Sequence, residues 1–259
     1  MPEGPAILWF RGDLRLRDNE ALLAAATGER AVIPVFILDD ERAERWAAGG
    51  ASRWWLHGSL AALAGELESH RSRLVLRRGE SLEQLREIVA ETGVGAVCWN
   101  RIHDPATRLL DEAVRRMLTE QGVEVSVGAG QLLFDPEAVR SRSGGPFKVF
   151  TPFWRHCRNR ERPQPVKDAV PEVLNAPAHW PCGDALEGWA LRAQPGRAVR
   201  LTESGDPGES GAQRRLAEFV ARAMDAYGED RDRPALDGTS RLSAALHFGE
   251  LTPRQVWAA

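Results

Sequence analysis

Five short apolar runs, each followed by a stretch of helical period, fill the first half of the chain and leave it few ways to fold. Ala6–Phe10, Ala31–Leu38, Arg73–Arg77, Ala96–Trp99 and Val123–Val127 read as buried strands, each short and mostly apolar. Helical patterns lie between them, near Asn19–Ala26, Ala51–Ser69, Ser81–Glu91 and Pro105–Glu120. Pro105 at a first helical position, and Ser81 with Glu83 in the first turn, mark two of the starts. Strand–helix–strand repetition implies right-handed crossovers and a parallel sheet covered on both faces. The expectation is a doubly wound, five-stranded α/β domain over residues 1–130.

After Val127 the periodicity breaks. Residues 128–152 read as loop, with one short extended piece in "GGPFKVFTPFW" that ends in an aromatic cluster, and a helical segment follows near Trp154–Arg160. Proline, glycine and the lack of any sustained period make 131–211 a connecting segment wrapped over a surface. Helical spacing returns at Ala212–Tyr227, where Leu216, Phe219, Val220, Ala223 and Tyr227 share a face. Ser240–Phe248 and Pro253–Ala258 are expected to be two further helices. The helical part, 212–259, is too short to close a core of its own, so the chain is expected to be cut or to need a partner. A cut chain would leave an apolar face bare on 212–227.

Composition excludes several classes. A hydrophobic share of 43% with 27% charged residues is that of a soluble globular protein. No run approaches the roughly 20 apolar residues of a membrane span, and the N-terminus lacks a signal-peptide pattern. Three scattered cysteines suit reduced thiols, so a cytoplasmic protein is expected. The net charge of −3 confines any nucleic-acid contact to a local patch. Only Lys148 and Lys167 are lysines among 34 cations, a bias that GC-rich coding explains as well as phosphate recognition does.

The residues that could carry chemistry sit at the two ends. Thr239 and Ser240 follow Gly238 and precede an amphipathic run, so they suit a helix N-terminus, with Ser243 one turn on and Arg241 as a cation. An ordinary cap and a pyrophosphate shelf both fit this pattern. Tyr227 reads as a half-buried packing residue, and Arg231 and Arg233 as solvated charges. After the first strand, "FRGDLRLRDN" places Arg11, Asp13, Arg15, Arg17, Asp18 and Asn19 where an open α/β sheet binds ligands. The same residues could instead tie the loop to the following helix. No dinucleotide fingerprint, P-loop, nucleophile elbow or metal-ligand spacing occurs, so hydrolytic and metal chemistry find no foothold. The nine tryptophans read as core before they read as a cofactor lining.

Three stretches taken together resemble the DNA photolyase/cryptochrome family, and the resemblance spans Ala6 to Trp257. "LWFRGDLRLRDNEAL" is similar to that family's first strand and loop, and "KVFTPFWRH" to the passage leaving its antenna domain. "YGEDRDRPALDGTSRLSAALHFGELTPRQVW" is similar to the opening of its all-α FAD-binding domain and is the most specific of the three. The resemblance implies a Rossmann-like antenna domain followed by the start of a helical flavin domain. It implies that Tyr227, Thr239, Ser240, Arg241, Leu242 and Ser243 contact FAD, the last five at its phosphates, and that Arg231 contacts damaged DNA. It places no catalytic residue within this chain.

The activity implied is that of a deoxyribodipyrimidine photo-lyase: excited reduced FAD passes an electron to a cyclobutane pyrimidine dimer, the ring splits, and the electron returns. UV-damaged DNA is the implied partner, and the full-length protein is expected to be a monomer. The present chain is expected to be an N-terminal portion, inactive alone. A second antenna chromophore, methenyltetrahydrofolate or a deazaflavin, stays open: the folate-binding Asn-Glu pair is matched by Ala106 and Thr107, and Ile102 falls where a polar contact is expected. A cryptochrome-like photoreceptor and a free-standing antenna or nucleotide-binding module are the alternatives.

Overall fold

The computed structural model describes residues 4–40, 47–141, 143–159, 163–192 and 205–259. The strands are β1 (Ala6–Phe10), β2 (Val32–Leu38), β3 (Val75–Arg78), β4 (Ala96–Asn100) and β5 (Glu124–Gly128). They form one sheet in the order β3-β2-β1-β4-β5, every pair parallel. Connections run outward from β1 in both directions, so the strand order switches between β1 and β4.

The continuous apolar runs divide their side chains between two cores, one on each face. Ala6, Leu8 and Phe10 join Leu56, Leu60, Leu63 and Leu67 of α2 (Gly50–Ser69). Ile7 and Trp9 join Leu85 and Ile88 of α3 (Ser81–Thr92) and Leu110, Val114 and Leu118 of α4 (Pro105–Glu120). Trp9 and Trp99, from neighbouring strands, meet edge to face at 5.9 Å.

Local chemistry accounts for the helix starts. Asn19 caps α1 (Glu20–Ala25) through Leu22 N, and Asp104 caps α4 ahead of Pro105. The start expected at Ser81 is capped one residue earlier, by Glu80 on Glu83 N, because Ser81 turns its hydroxyl and N–H to Asp39.

The segment after β5 departs from its expected outline. The extended piece near residue 147 joins no strand, and α5 (Phe150–Arg158) begins before Trp154, since Pro152 falls in a first turn where its missing N–H leaves no bond unmade. Residue 160, and the stretches 161–162 and 193–204 of the connecting segment, lie outside the described residues. The described part binds along the α/β unit. Asn175 O accepts from Val32 N, His70 O from Leu174 N and Leu76 O from Asp184 N, while Leu174, Trp189 and Leu191 are buried in the α2-side core.

The helix expected over 212–227 is α6, Glu209–Arg222. Its ladder closes when Ala223 N and Met224 N both donate to Phe219 O, and Tyr227 opens a separate single turn, α7 (Tyr227–Asp230). α8 (Ser243–Phe248) and α9 (Pro253–Ala258) follow. Leu216 packs with Leu242, Ala245 and Leu251, so the chain itself covers part of the face expected to be bare, while Phe219, Val220 and Ala223 are half-buried and Tyr227 is exposed. The most exposed large apolar side chains lie elsewhere, at Phe150 (71%) and Leu109 (67%).

Candidate functional site

The loop after β1 is consumed by the chain itself. Arg11 forms an ion pair with Asp111 at 2.6 Å, donates to Asn100 O and lies over the Trp9 ring. Asp13 and Asn19 both accept from Asn100 Nδ2, at 2.6 and 2.7 Å. Arg15 donates to Gly249 O and Asp18 O. Of the two sequence readings of this loop, tying down fits better than ligand binding. The tie reaches beyond the next helix to the far end of the chain, because Leu14 N donates to Phe248 O.

The helical part is thus fastened at the strand-order switch, where an α/β sheet usually takes its ligand. Three carboxylates do the fastening. Asp18 accepts from Lys167 N, Thr252 Oγ1 and Arg254 Nε. Glu250 Oε1 accepts from Trp55 Nε1, Ser59 Oγ and Gly208 N. Glu209 accepts from the backbone amides of Leu16 and Arg17 at 2.7 and 3.1 Å. Sequence reasoning missed Glu209, Glu250 and Arg254: each is one charge among many, with no period or spacing to single it out.

Burial pushes the Glu209 carboxyl up to about 7; the Leu16 amide opposes the rise, the charge of Glu66 adds to it, and the Arg17 amide and Arg15 charge oppose it further. Glu250 is raised as well, burial again outweighing its hydrogen bonds. The folded chain therefore holds the Glu209 proton where an unfolded one, titrating near 4.5, has lost it. Its contribution is complete below 4.5 and is lost as the pH rises to about 7, a change of about 3 kcal/mol. Denaturation midpoints between pH 4.5 and 8 should show this decline, and Glu209→Gln should remove at least half of it. An unaltered profile in the variant would place the titration elsewhere.

The shelf residues divide into two groups that one contact joins. Tyr227 is 40% exposed, meets Phe219 edge to face at 5.7 Å, and carries the Arg231 guanidinium 5.8 Å from its ring centre. Gly238 is buried so tightly against Asp230 that a Cβ there would lie 2.6 Å from the Asp230 Cβ. This contact holds the start of the 239–243 segment against the Tyr227 turn.

Thr239 and Ser240 do not lie on a helix: α8 starts at Ser243, and Arg241, at φ 51, turns the chain left-handed just before it. A six-residue helix offers little dipole, so any anion here relies on hydroxyls and Arg241. Thr239, Arg241 and Ser243 are exposed and Ser240 is partly so. None of the three hydroxyls has a side-chain partner among the described residues. Leu242 instead turns into the core with Leu216. Arg241 is paired with Asp237 at 2.8 Å and, with Leu242, also lines a cleft of ≈ 300 Å³ that includes Trp55 and Arg215. Tyr227, Arg231, Thr239, Ser240 and Ser243 do not line that cleft.

This donor set suits a phosphate: three hydroxyls without a side-chain partner among the described residues and one arginine, near a half-exposed ring. Among the described residues no cluster of histidine, cysteine and carboxylate could hold a metal ion, and no helix is long and apolar enough to cross a membrane.

Comparison with known proteins agrees with the fold. Residues 6–173 match the family model described as DNA photolyase. A deoxyribodipyrimidine photo-lyase of Agrobacterium fabrum is 43% identical over 98% of this chain and 53% of its own length. Cryptochrome-2 of Arabidopsis thaliana is 34% identical over 97% of this chain and 42% of its own. A solved bacterial class III photolyase from Agrobacterium tumefaciens superposes with a TM-score of 0.93 at 42% identity, covering all of this chain and 53% of that one. The chain spans about half the length of these relatives.

Proposed function

The chain belongs to the DNA photolyase and cryptochrome family, and from that premise we propose that it forms the N-terminal part of a light-dependent DNA-repair enzyme that splits cyclobutane pyrimidine dimers. The carrying observation is the Gly238–Asp230 contact, which sets the Tyr227 turn beside a segment whose hydroxyls have no side-chain partner among the described residues. On this reading residues 1–130 are the antenna domain, 131–211 the connection and 212–259 one wall of the flavin site.

Thr239, Ser240, Ser243 and Arg241 would hold the FAD phosphates, and Tyr227 would pack against the cofactor. Leu242, buried against Leu216, anchors the segment so that its neighbours keep their direction. When bound, reduced FAD would supply the light-driven electron that opens the dimer and is then returned. Arg231 is exposed and only loosely paired with Asp232 at 3.7 Å, so it is free to meet a DNA phosphate. A second chromophore, methenyltetrahydrofolate or a deazaflavin, belongs to the same proposal. Ala106 and Thr107 offer a pterin no carboxylate, which weighs against a family-type folate contact there.

A photoreceptor role is the second reading, favoured by the 34% identity to Cryptochrome-2. The test is thymine-dimer loss from a short duplex under blue light and in darkness, using the product of the whole reading frame. Light-dependent loss is the expected result; a flavin-loaded product without repair would favour the photoreceptor. Arg231→Ala should weaken binding to dimer-containing DNA several-fold and reduce the salt slope by about 1, with flavin content unchanged. Loss of flavin in this variant would move Arg231 from the DNA face to the cofactor.

A further inference from the structure

A larger cavity, ≈ 690 Å³, opens where the loop after β5, the end of α5, the 163–164 stretch and the start of α9 meet. Cavities of about 300–1,000 Å³ take cofactor-sized molecules. Leu132, Leu133, Phe134 and Val139 give this one an apolar wall. Arg254 also lines it, although the residue is only 5% exposed.

The arginine is held in a fixed orientation. Its Nε donates to Asp18 Oδ2 at 2.9 Å, and Asp18, fully buried, is itself fixed by Thr252 and by Lys167 N. Neither terminal nitrogen of Arg254 has a partner among the described residues. Those nitrogens are not among the buried polar atoms, so four N–H donors of a nearly buried residue stay open to a ligand. Asp18 already balances the charge, so what the cavity receives is a set of oriented N–H groups more than a bare cation. Asp135, a carboxylate in the same lining, is exposed and accepts from Glu137 N within its own loop.

We propose that this cavity binds a small organic anion, with a carboxylate, sulfonate or phosphate head on the Arg254 N–H groups and an apolar, planar body against Leu132–Val139. The site is separate from the flavin shelf, since no residue of 227–243 lines it, and from Ile102, Ala106 and Thr107, which do not line it either. It stands whether or not the repair function holds.

The probe is 8-anilinonaphthalene-1-sulfonate, titrated by fluorescence into the 259-residue chain. One saturable site per chain is expected. Ala138→Phe adds a ring at the exposed cavity wall without removing a buried group, and should weaken binding at least tenfold while leaving the unfolding midpoint unchanged. N-phenyl-1-naphthylamine, a neutral analogue, should bind at least tenfold more weakly than the sulfonate. Arg254→Gln should bring the two dyes to equal affinity if the variant folds; the Ala138→Phe result stands without it. Equal affinity of both dyes for the unmodified chain would overturn the proposal. So would an Ala138→Phe variant that binds normally, because the dye would then be reporting the exposed aromatic face at Phe150.

Discussion

Asp18→Ala is expected to destabilise the chain by about 3–5 kcal/mol, the usual consequence of leaving one member of a buried ion pair without its partner. The substitution orphans three donors at once: Lys167 N, Thr252 Oγ1 and the Arg254 guanidinium. Burial would raise the Asp18 carboxyl, but the hydrogen bonds from Lys167, Thr252 and Arg254, with the Arg254 charge, hold it below its ordinary value. Its stabilisation is therefore present above the unfolded value of 3.8 and is lost as the pH falls below it. Arg254→Ala should be comparably harmful, since it leaves a carboxylate buried without its cation. The double substitution should lose clearly less than the sum of the two, because no unpaired charge is left behind. Chemical denaturation of the four proteins gives the coupling directly. Strictly additive losses would mean that the pair contributes no more than its separate contacts.

Gly249→Ala should be damaging to a similar degree, for a steric reason. Gly249 has φ 66, and a Cβ there would lie 2.0 Å from Gly12 O and 2.6 Å from Asp13 Cα. Those are backbone atoms of a loop that Asn100 and Arg15 already pin, so the neighbour has little room to give. Left-handed strain of about 1–3 kcal/mol and overpacking of about 1–3 kcal/mol together predict a loss of roughly 2–6 kcal/mol. The damage should be local at first. Amides of 242–256 should exchange faster with solvent than those of β1 or β4, and a uniform rise across the sheet would refute local release. Neither substitution alters a shelf residue itself, yet both loosen the platform on which Ser243 and Leu242 stand.

The outcomes for individual elements show where sequence reasoning holds. Short apolar runs such as Ala6–Phe10 placed every strand to within two residues at either end; β1, β2 and β4 are buried on both faces, which leaves no polar alternative, whereas β3 and β5 at the sheet edges carry polar residues as well. Helix ends fared less well. Tyr227 left its expected helix because the closure at Phe219 depends on backbone bonds no residue type announces. The start expected at Ser240 moved to Ser243 because Arg241 takes a left-handed conformation, which arginine seldom adopts without its neighbours imposing it. The six charged and amide residues after β1 were correctly seen as a constellation, but the sequence left their partners undecided between a ligand and the chain.

What the sequence by itself determined is the parallel α/β unit and the change to helical structure after a long connection. Apolar period and short motifs are local quantities, and they remain readable without neighbours. Tertiary structure alone decided that Glu209, Glu250 and Arg254 fasten the two parts, that the crevice at the strand switch is filled by Gly249, and that Arg254 faces a cavity. Each of these joins residues more than a hundred positions apart, or depends on how deeply a charge is buried. A carboxylate on a solvated surface and one gripping two buried amides are the same letter in a sequence; only desolvation and its compensating hydrogen bonds tell them apart.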